Sequence, residues 1–500
     1  MLSFRNNGEP NRWAVLALLG VAQLMVVLDG TIVNTALPSA QAALHFSTDS
    51  RQWIITAYAL AFGSLLLLGG KLGDLFGRKW TFISGLLGFS IASALGGLAD
   101  SFTVLVLARA LQGAFAALLA PSALGLLTMT FAGTPDRSKA FGIFGAIAAS
   151  GASVGLLLGG VLTTALSWRW CLYVNPLIAI PTATGALRLL VNESNPRRAR
   201  IDLPGTLLAA GGLFALVYGF ANAAMHSWAA PATIIALTAS PLLLIVFVVV
   251  QRHVADPLLP LHVAWDRGRG GAYLSVLLAA TGMFAVLLFL TFYMQHDLGF
   301  SPLTDGLAFL PMSATIAVAS IAVQTRVLAK TGAKPIFATG MVLGALAMIL
   351  LRRLTANGPY LTDVLPGLIV FGLGMGCILG TGFATATLGV EPKEAGVAAA
   401  MVNTSQQIGG SIGTALLSTL FASAAASYTA THAGVPASSN AALVHGYTTA
   451  FSWSAAIFAL GFFAVLLILP KKPGIKPRHA RSAASSADAR TSAAACPTAD

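Results

Sequence analysis

Fourteen apolar runs, most close to 20 residues long, follow one another along the chain. They cover approximately 13–37, 53–70, 80–99, 102–128, 140–165, 170–191, 204–224, 231–251, 271–296, 303–325, 335–353, 364–389, 396–425 and 447–470. An apolar run of about 20 residues is the length that spans a bilayer as a helix. The pattern therefore predicts an all-α integral membrane protein with fourteen transmembrane helices. Gly and Pro inside the runs are compatible with this, because neighbouring helices re-satisfy the backbone groups they free. Residues 426–446, rich in Ala, Ser and Thr with two His, read as a long loop between the last two spans. The stretch 471–500 reads as a disordered tail.

Composition agrees with the pattern. Of the 500 residues 56% are hydrophobic and 9% charged, against about 25% charged in a soluble protein. Charge then sets direction, since Lys and Arg collect in cytoplasmic segments. With the N-terminus placed inside, Arg51, Arg169, Arg352 and Arg353 fall in outside segments and Arg109 within a span. All the other bases of the 29 fall inside. The net charge of +12 is thus a topology signal spread over many short loops. No single face collects it, so nucleic acid is not implied as a partner. Both termini are expected in the cytoplasm, and the lipid of the cell membrane is the surrounding medium. The apolar run after Arg5 and Arg12 is too long for a secretory signal and contains Asp29.

Catalytic and cofactor chemistry has no signature. Cys171, Cys377 and Cys496 lie far apart, no H-x-x-x-H pair occurs, and "GGKLG" at Gly69 has Leu72 where a phosphate-binding loop needs Ser or Thr. An ATP-coupled role would need a partner subunit; a periplasmic adaptor also stays open as a partner. The expectation is a non-enzyme without cofactors. The remaining classes are a secondary transporter, a channel or receptor, and a membrane enzyme.

An internal echo favours the transporter. "KLGDLFGRKW" (71–80) lies between spans 2 and 3, and "RVLAKTGAKP" (326–335), 255 residues later, between spans 10 and 11. A base stands six before a Gly in each (Lys71 with Gly77, Arg326 with Gly332), and a Lys two after it (Lys79, Lys334). This pairs two six-span halves, spans 1–6 and 9–14, with spans 7 and 8 inserted. Repeated halves around a central site are typical of secondary transporters. The expected divisions are 1–191, 192–270 for the linker with its two inserted spans, 271–470, and the tail.

Further stretches carry a family resemblance. "GKLGDLFGRK" resembles the signature loop of the major facilitator superfamily. "LDGTIVNTALP" (28–38) resembles the first-span motif of its fourteen-span drug:proton antiporters. "LARALQGAFAALLAPS" (107–122) resembles their fourth-span motif, "GASVGLLLGGVLTTALSWRWCLYVNP" (151–176) their fifth-span motif and the following loop, and "EAGVAAAMVNTSQQIGGSIGTAL" (394–416) their thirteenth span. Leu156 stands where the fifth-span motif has Pro. The resemblance implies export of hydrophobic, in part cationic, drugs or toxic compounds in exchange for protons, with the proton gradient as energy source. Export of a dedicated metabolite, lipid or siderophore, symport on the same scaffold, and a non-transporting sensor stay open.

Candidate residues follow. In the signature loop, Lys79 and its fellow bases hold the turn inside, and Gly73 and Gly77 let it bend. The resemblance implies that Asp74 and Arg78 brace one half against the other near the start of span 13, around Glu394–Val397. Gly151, Gly155 and Gly159, four residues apart with Gly160 adjacent, form one ridge on span 5. They predict a close contact with another span that must open and shut. Gly409, Gly410 and Gly413 suggest the same on span 13. Among acids only Asp29, and among bases only Arg109, lies well inside a span. Each costs roughly 2.5–3.5 kcal/mol there, so each needs a partner or cavity. Asp29 lies about 12 Å and Arg109 about 10 Å from the outer ends of their spans, so the two can face one another. Gln112, one turn from Arg109, completes a polar patch expected to couple protons. Tyr58, Tyr293, Met294, Asn403 and Gln407 are candidates to line a central substrate cavity.

Overall fold

The computed structural model describes residues 5–6, 9–46, 48–191, 202–356, 358–391, 394–432 and 439–470. The expected tail lies outside them. Fourteen long helices appear in the predicted order: α1 Arg12–Leu44, α2 Thr48–Phe76, α3 Arg78–Gly97, α4 Phe102–Thr130, α5 Arg137–Ala165, α6 Trp170–Leu189, α7 Leu203–Met225, α8 Pro231–Gln251, α9 Arg267–Asp297, α10 Leu303–Thr331, α11 Ala333–Leu351, α12 Tyr360–Ala386, α13 Ala395–Thr431 and α14 Asn440–Ile468. Thirteen are each long and apolar enough to cross a membrane, and α5 contributes the apolar stretch Val154–Ala165. The helices run through Pro38, Pro121, Pro176, Pro181 and Pro241. Single turns of π-helix close α9 (Tyr293–Asp297), interrupt α10 (Val323–Val327) and open α12 (Tyr360–Val364).

One expectation changes. Most of the 426–446 loop is helix: α13 continues to Thr431 and α14 begins at Asn440. "SAAASYTAT" is rich in alanine, the strongest helix former, so the helix need not stop where hydrophobicity falls.

Packing repeats between the halves. In the first, α4 packs on α2 and α3, α5 on α1, and α6 on α1 and α3. In the second, α12 packs on α10 and α11, α13 on α9, and α14 on α9 and α11. Adding eight to each label of the first set yields the second. The halves meet along two equivalent seams, α2 against α13 and α10 against α5. The inserted α7 and α8 pack on one another, and α7 lies over the first seam, touching both α2 and α13.

The echoed connectors match in detail. Gly77 and Gly332 take positive φ, 92° and 78°, a conformation glycine adopts without strain. Lys79 Nζ donates to the Leu187 carbonyl (2.9 Å) near the end of α6, and Lys334 Nζ to the Leu466 carbonyl (2.6 Å) near the end of α14. In each half a lysine after the turn meets the unpaired carbonyls that end the sixth helix. The end of the bundle that holds these lysines is called the basic end below. Lys139 lies over the Trp13 ring (5.0 Å) there, so α1 starts at that end.

Candidate functional site

Asp29 on α1 is fully buried, and the helices around it aim polar side chains at it. Arg109 and Gln112, three residues apart, share one face of α4. Arg109 Nη1 donates to Asp29 Oδ2 (2.5 Å) and to Gln112 Oε1 (2.9 Å), and Gln112 Nε2 donates to Asp29 Oδ1 (3.0 Å). Arg109 Nε also donates to the Ile54 carbonyl on α2 (3.4 Å). The guanidinium lies 4.4 Å from the centre of the Tyr58 ring, a cation–π distance.

Two participants were not expected. Asn175 on α6 donates through Nδ2 to Asp29 Oδ1 (2.7 Å) and to Ser93 Oγ on α3 (2.9 Å), and Ser93 in turn donates to the Leu172 carbonyl (2.8 Å). Asn175 Oδ1 is buried and has no partner among the described residues. The cluster thus draws on α1, α2, α3, α4 and α6. A buried ion pair is tolerable only when further hydrogen bonds occupy its remaining sites, and Gln112 and Asn175 do this for Asp29.

A second constellation lies at the basic end. Arg78 reaches back four residues to Asp74, with Nη2 at 2.6 Å and Nε at 3.1 Å from Oδ1. The same oxygen accepts from the Gly396 amide on α13 (3.3 Å). The residue before α13, Glu394, makes no side-chain cap. Asp74 therefore caps α13 from another helix, satisfying one of its orphan N–H groups and placing negative charge at its positive end. Close approach makes this possible, because a Cβ on Gly396 would stand 2.7 Å from both Asp74 Oδ1 and the Gly70 carbonyl. Gly125 likewise leaves room for Arg78, whose Nη1 donates to its carbonyl (3.4 Å).

Gly73 does not bend the chain. It lies inside α2, where a Cβ would stand 3.1 Å from Ser122 Oγ on α4, and Gly77 alone makes the turn. The ridge on α5 makes the close crossing its spacing predicts, and its partner is α1. Cβ atoms on Gly151, Gly155 and Gly159 would strike Val27, Thr31 and Thr35 of α1, in the same half, and Gly160 is buried beside them. In the second half Gly409 and Gly413 meet α9 in the same way, at the Leu277 and Thr281 carbonyls. Between the halves α5 instead uses Gly142 and Gly145. Ser320 Oγ donates to the Gly142 carbonyl (3.0 Å), and a Cβ on Gly145 would stand 2.8 Å from Gly380 Cα. Arg137 Nη2 donates across this seam to Thr387 Oγ1 (3.1 Å).

The five candidate cavity residues are not brought together. Tyr58 belongs to the Asp29 cluster. Tyr293 and Met294 are fully buried in the second half, where the Tyr293 hydroxyl donates to the Thr355 carbonyl (2.8 Å). Asn403 is buried and donates to the Ala399 carbonyl of its own helix (3.1 Å), and half-buried Gln407 lies near Gly63 on α2.

Fourteen helices in two repeated halves, with the buried Asp29–Arg109 pair inside one half and a glycine-packed seam between them, define a multi-pass membrane transporter. The profile of the Major Facilitator Superfamily matches residues 19–414. The chain belongs to that superfamily. It is 48% identical to the puromycin resistance protein of Streptomyces alboniger, covering 90% of each chain. It is 40% identical to the cephamycin export protein of Amycolatopsis lactamdurans (81% of this chain, 84% of the other). With the tetracenomycin C resistance and export protein of Streptomyces glaucescens it shares 33% (83% and 77%). Among solved structures, the human organic anion transporter MFSD10 shares the fold, with a TM-score of 0.61 at 15% identity, covering 91% of this chain and all of the other.

Proposed function

We propose that this chain exports hydrophobic, in part cationic, antibiotic-like compounds from the cytoplasm in exchange for protons. It would sit in the cell membrane with both termini, and hence the basic end, in the cytoplasm. The observation that carries the proton coupling is the isolated carboxylate of Asp29, held by Arg109, Gln112 and Asn175 inside one half. Three N–H donors suit an ionised carboxylate. A proton on Asp29 removes the charge that holds them, releasing Arg109 and Gln112 of α4 and Asn175 of α6 to re-pair. Movement among α1, α4 and α6 is then the link between proton binding and the seams. The Asp74 cap on α13 favours the cytoplasm-closed state and must break for that side to open. The export direction rests on the relatives, one named for resistance, one for export and one for both.

The test uses everted vesicles with puromycin as probe. An imposed pH gradient alone should drive its uptake. Uptake driven by ATP that survives a protonophore would sink the reading. Relatives named for one antibiotic each support a second reading, a dedicated exporter; competition among several unlabelled antibiotics separates the two.

A further inference from the structure

The segment that follows α8, residues 252–266, folds back across the basic end. It contains one helical turn, Leu261–Ala264. Its course is fixed by a polar knot between the inserted helices. Asp202, which caps α7, accepts from the Gly205 amide (2.8 Å) and from Gln251 Nε2 (2.5 Å), while Gln251 Oε1 accepts from the Leu259 amide (2.9 Å). From there the segment reaches both halves. Lys71 Nζ of α2 donates to the Pro257 carbonyl (2.9 Å), and His262 Nε2 lies 3.0 Å from Glu394 Oε2 beside the start of α13. Leu258 and Leu259 are buried in one apolar cluster with Leu67 of α2, Val397 and Ala400 of α13, Ala209 and Leu213 of α7, and Phe247 of α8.

We propose that residues 252–266 form a strap that seals the cytoplasmic end of the α2–α13 seam, and that Leu258, Lys71 and His262 position it there. The inserted helices α7 and α8 then serve to carry the strap. Asp74 and Gly396 close the seam from within, while the strap closes it from its flank. The two contacts of the strap differ in kind. The Lys71 bond is charge-assisted and partly buried, whereas in the His262–Glu394 pair the imidazole is largely exposed and the contact correspondingly weak. When the cytoplasmic side opens, α13 slides out from under Leu258 and Leu259 while the strap stays with α2.

This rests on the proposed placement of the basic end in the cytoplasm, but its test needs neither substrate nor gradient. Val397, buried under the strap, is replaced by the near-isosteric Cys as reporter, in the full chain with Cys496→Ser; Cys171 and Cys377 are buried. Alkylation by N-ethylmaleimide is timed in everted vesicles. Leu258→Ser should speed it about tenfold, and Lys71→Met should speed it in the same direction. The conservative Leu258→Met should leave it at the parent rate. Trp228→Phe, which removes a hydrogen bond to Thr419 at the opposite end of the insert, should also leave it unchanged. The proposal is overturned if Leu258→Ser and Lys71→Met leave the rate unaltered, or if Trp228→Phe raises it as much. Failure of proton-driven uptake with these labelling results intact would count against the export reading and leave the strap standing.

Discussion

Asp29 has three donors in a setting where water is scarce, so its substitutions should separate chemistry from folding. Asp29→Asn keeps the shape and removes the titratable group: proton-driven uptake should fall at least tenfold while insertion persists. Arg109→Ala strands a buried carboxylate, a loss of roughly 3–5 kcal/mol in comparable pairs, so expression should fall together with export. The double change Asp29→Asn with Arg109→Gln decides whether the pair is only a packing bridge; restored proton-driven export would place the proton site elsewhere. Asn175→Ala leaves the Asp29–Arg109 bond and removes a donor, and its effect should appear as a shifted pH profile of uptake with near-normal protein yield. Asp29, Arg109 and Gln112 were legible in the sequence because charges inside apolar runs are rare and three-residue spacing puts two of them on one helix face. Asn175 and Ser93 were not, since a neutral polar residue in a span marks no partner and many serines in spans bond only their own helix, as Ser64 does to the Leu60 carbonyl. Asp305 and Asp297 are buried near the far ends of α10 and α9, where a carboxylate at the edge of an apolar run carries no sign of burial in the sequence.

At the level of helices, hydrophobic runs and basic loops were enough to order fourteen elements, because length and charge are local properties. What a helix faces is not local. The ridge of Gly151, Gly155 and Gly159 was readable as a close crossing, but nothing in its spacing could say that α1 is the partner. A β-branched side chain at Gly155 would collide with Thr31 and Leu28 of α1. Gly155→Val should cost about 1–3 kcal/mol, read as a lower melting temperature in detergent whatever the transport state. Asp74→Ala should behave differently. It removes a cap, worth about 0.5–2 kcal/mol, from the contact that in the proposed function closes the cytoplasmic side. Its signature is faster alkylation of a cysteine at Val397 from that side, with thermal stability less affected.

For the whole molecule the sharpest check is direction. Cys496, outside the described residues, should resist impermeant thiol reagents in intact cells and react once the membrane is permeabilised. Equal labelling in intact cells would reverse the orientation. The two halves share their packing plan yet differ where they touch. The position 255 residues after Asp74 is Ala329, and that after Arg78 is Ala333, so the second boundary has neither an acid nor a base at these places; there Ser320 of α10 bonds to α5, and Arg137 of α5 bonds to Thr387 at the end of α12.

Lys79 and Lys334 bear on that difference. Each lysine clasps its own half, tying the second connector to the sixth helix, and neither reaches the other half. A copy that holds its own shape does not depend on its twin for integrity. The first boundary carries an acid and a base that the second lacks at the equivalent positions, so two halves clasped alike meet across unequal hinges.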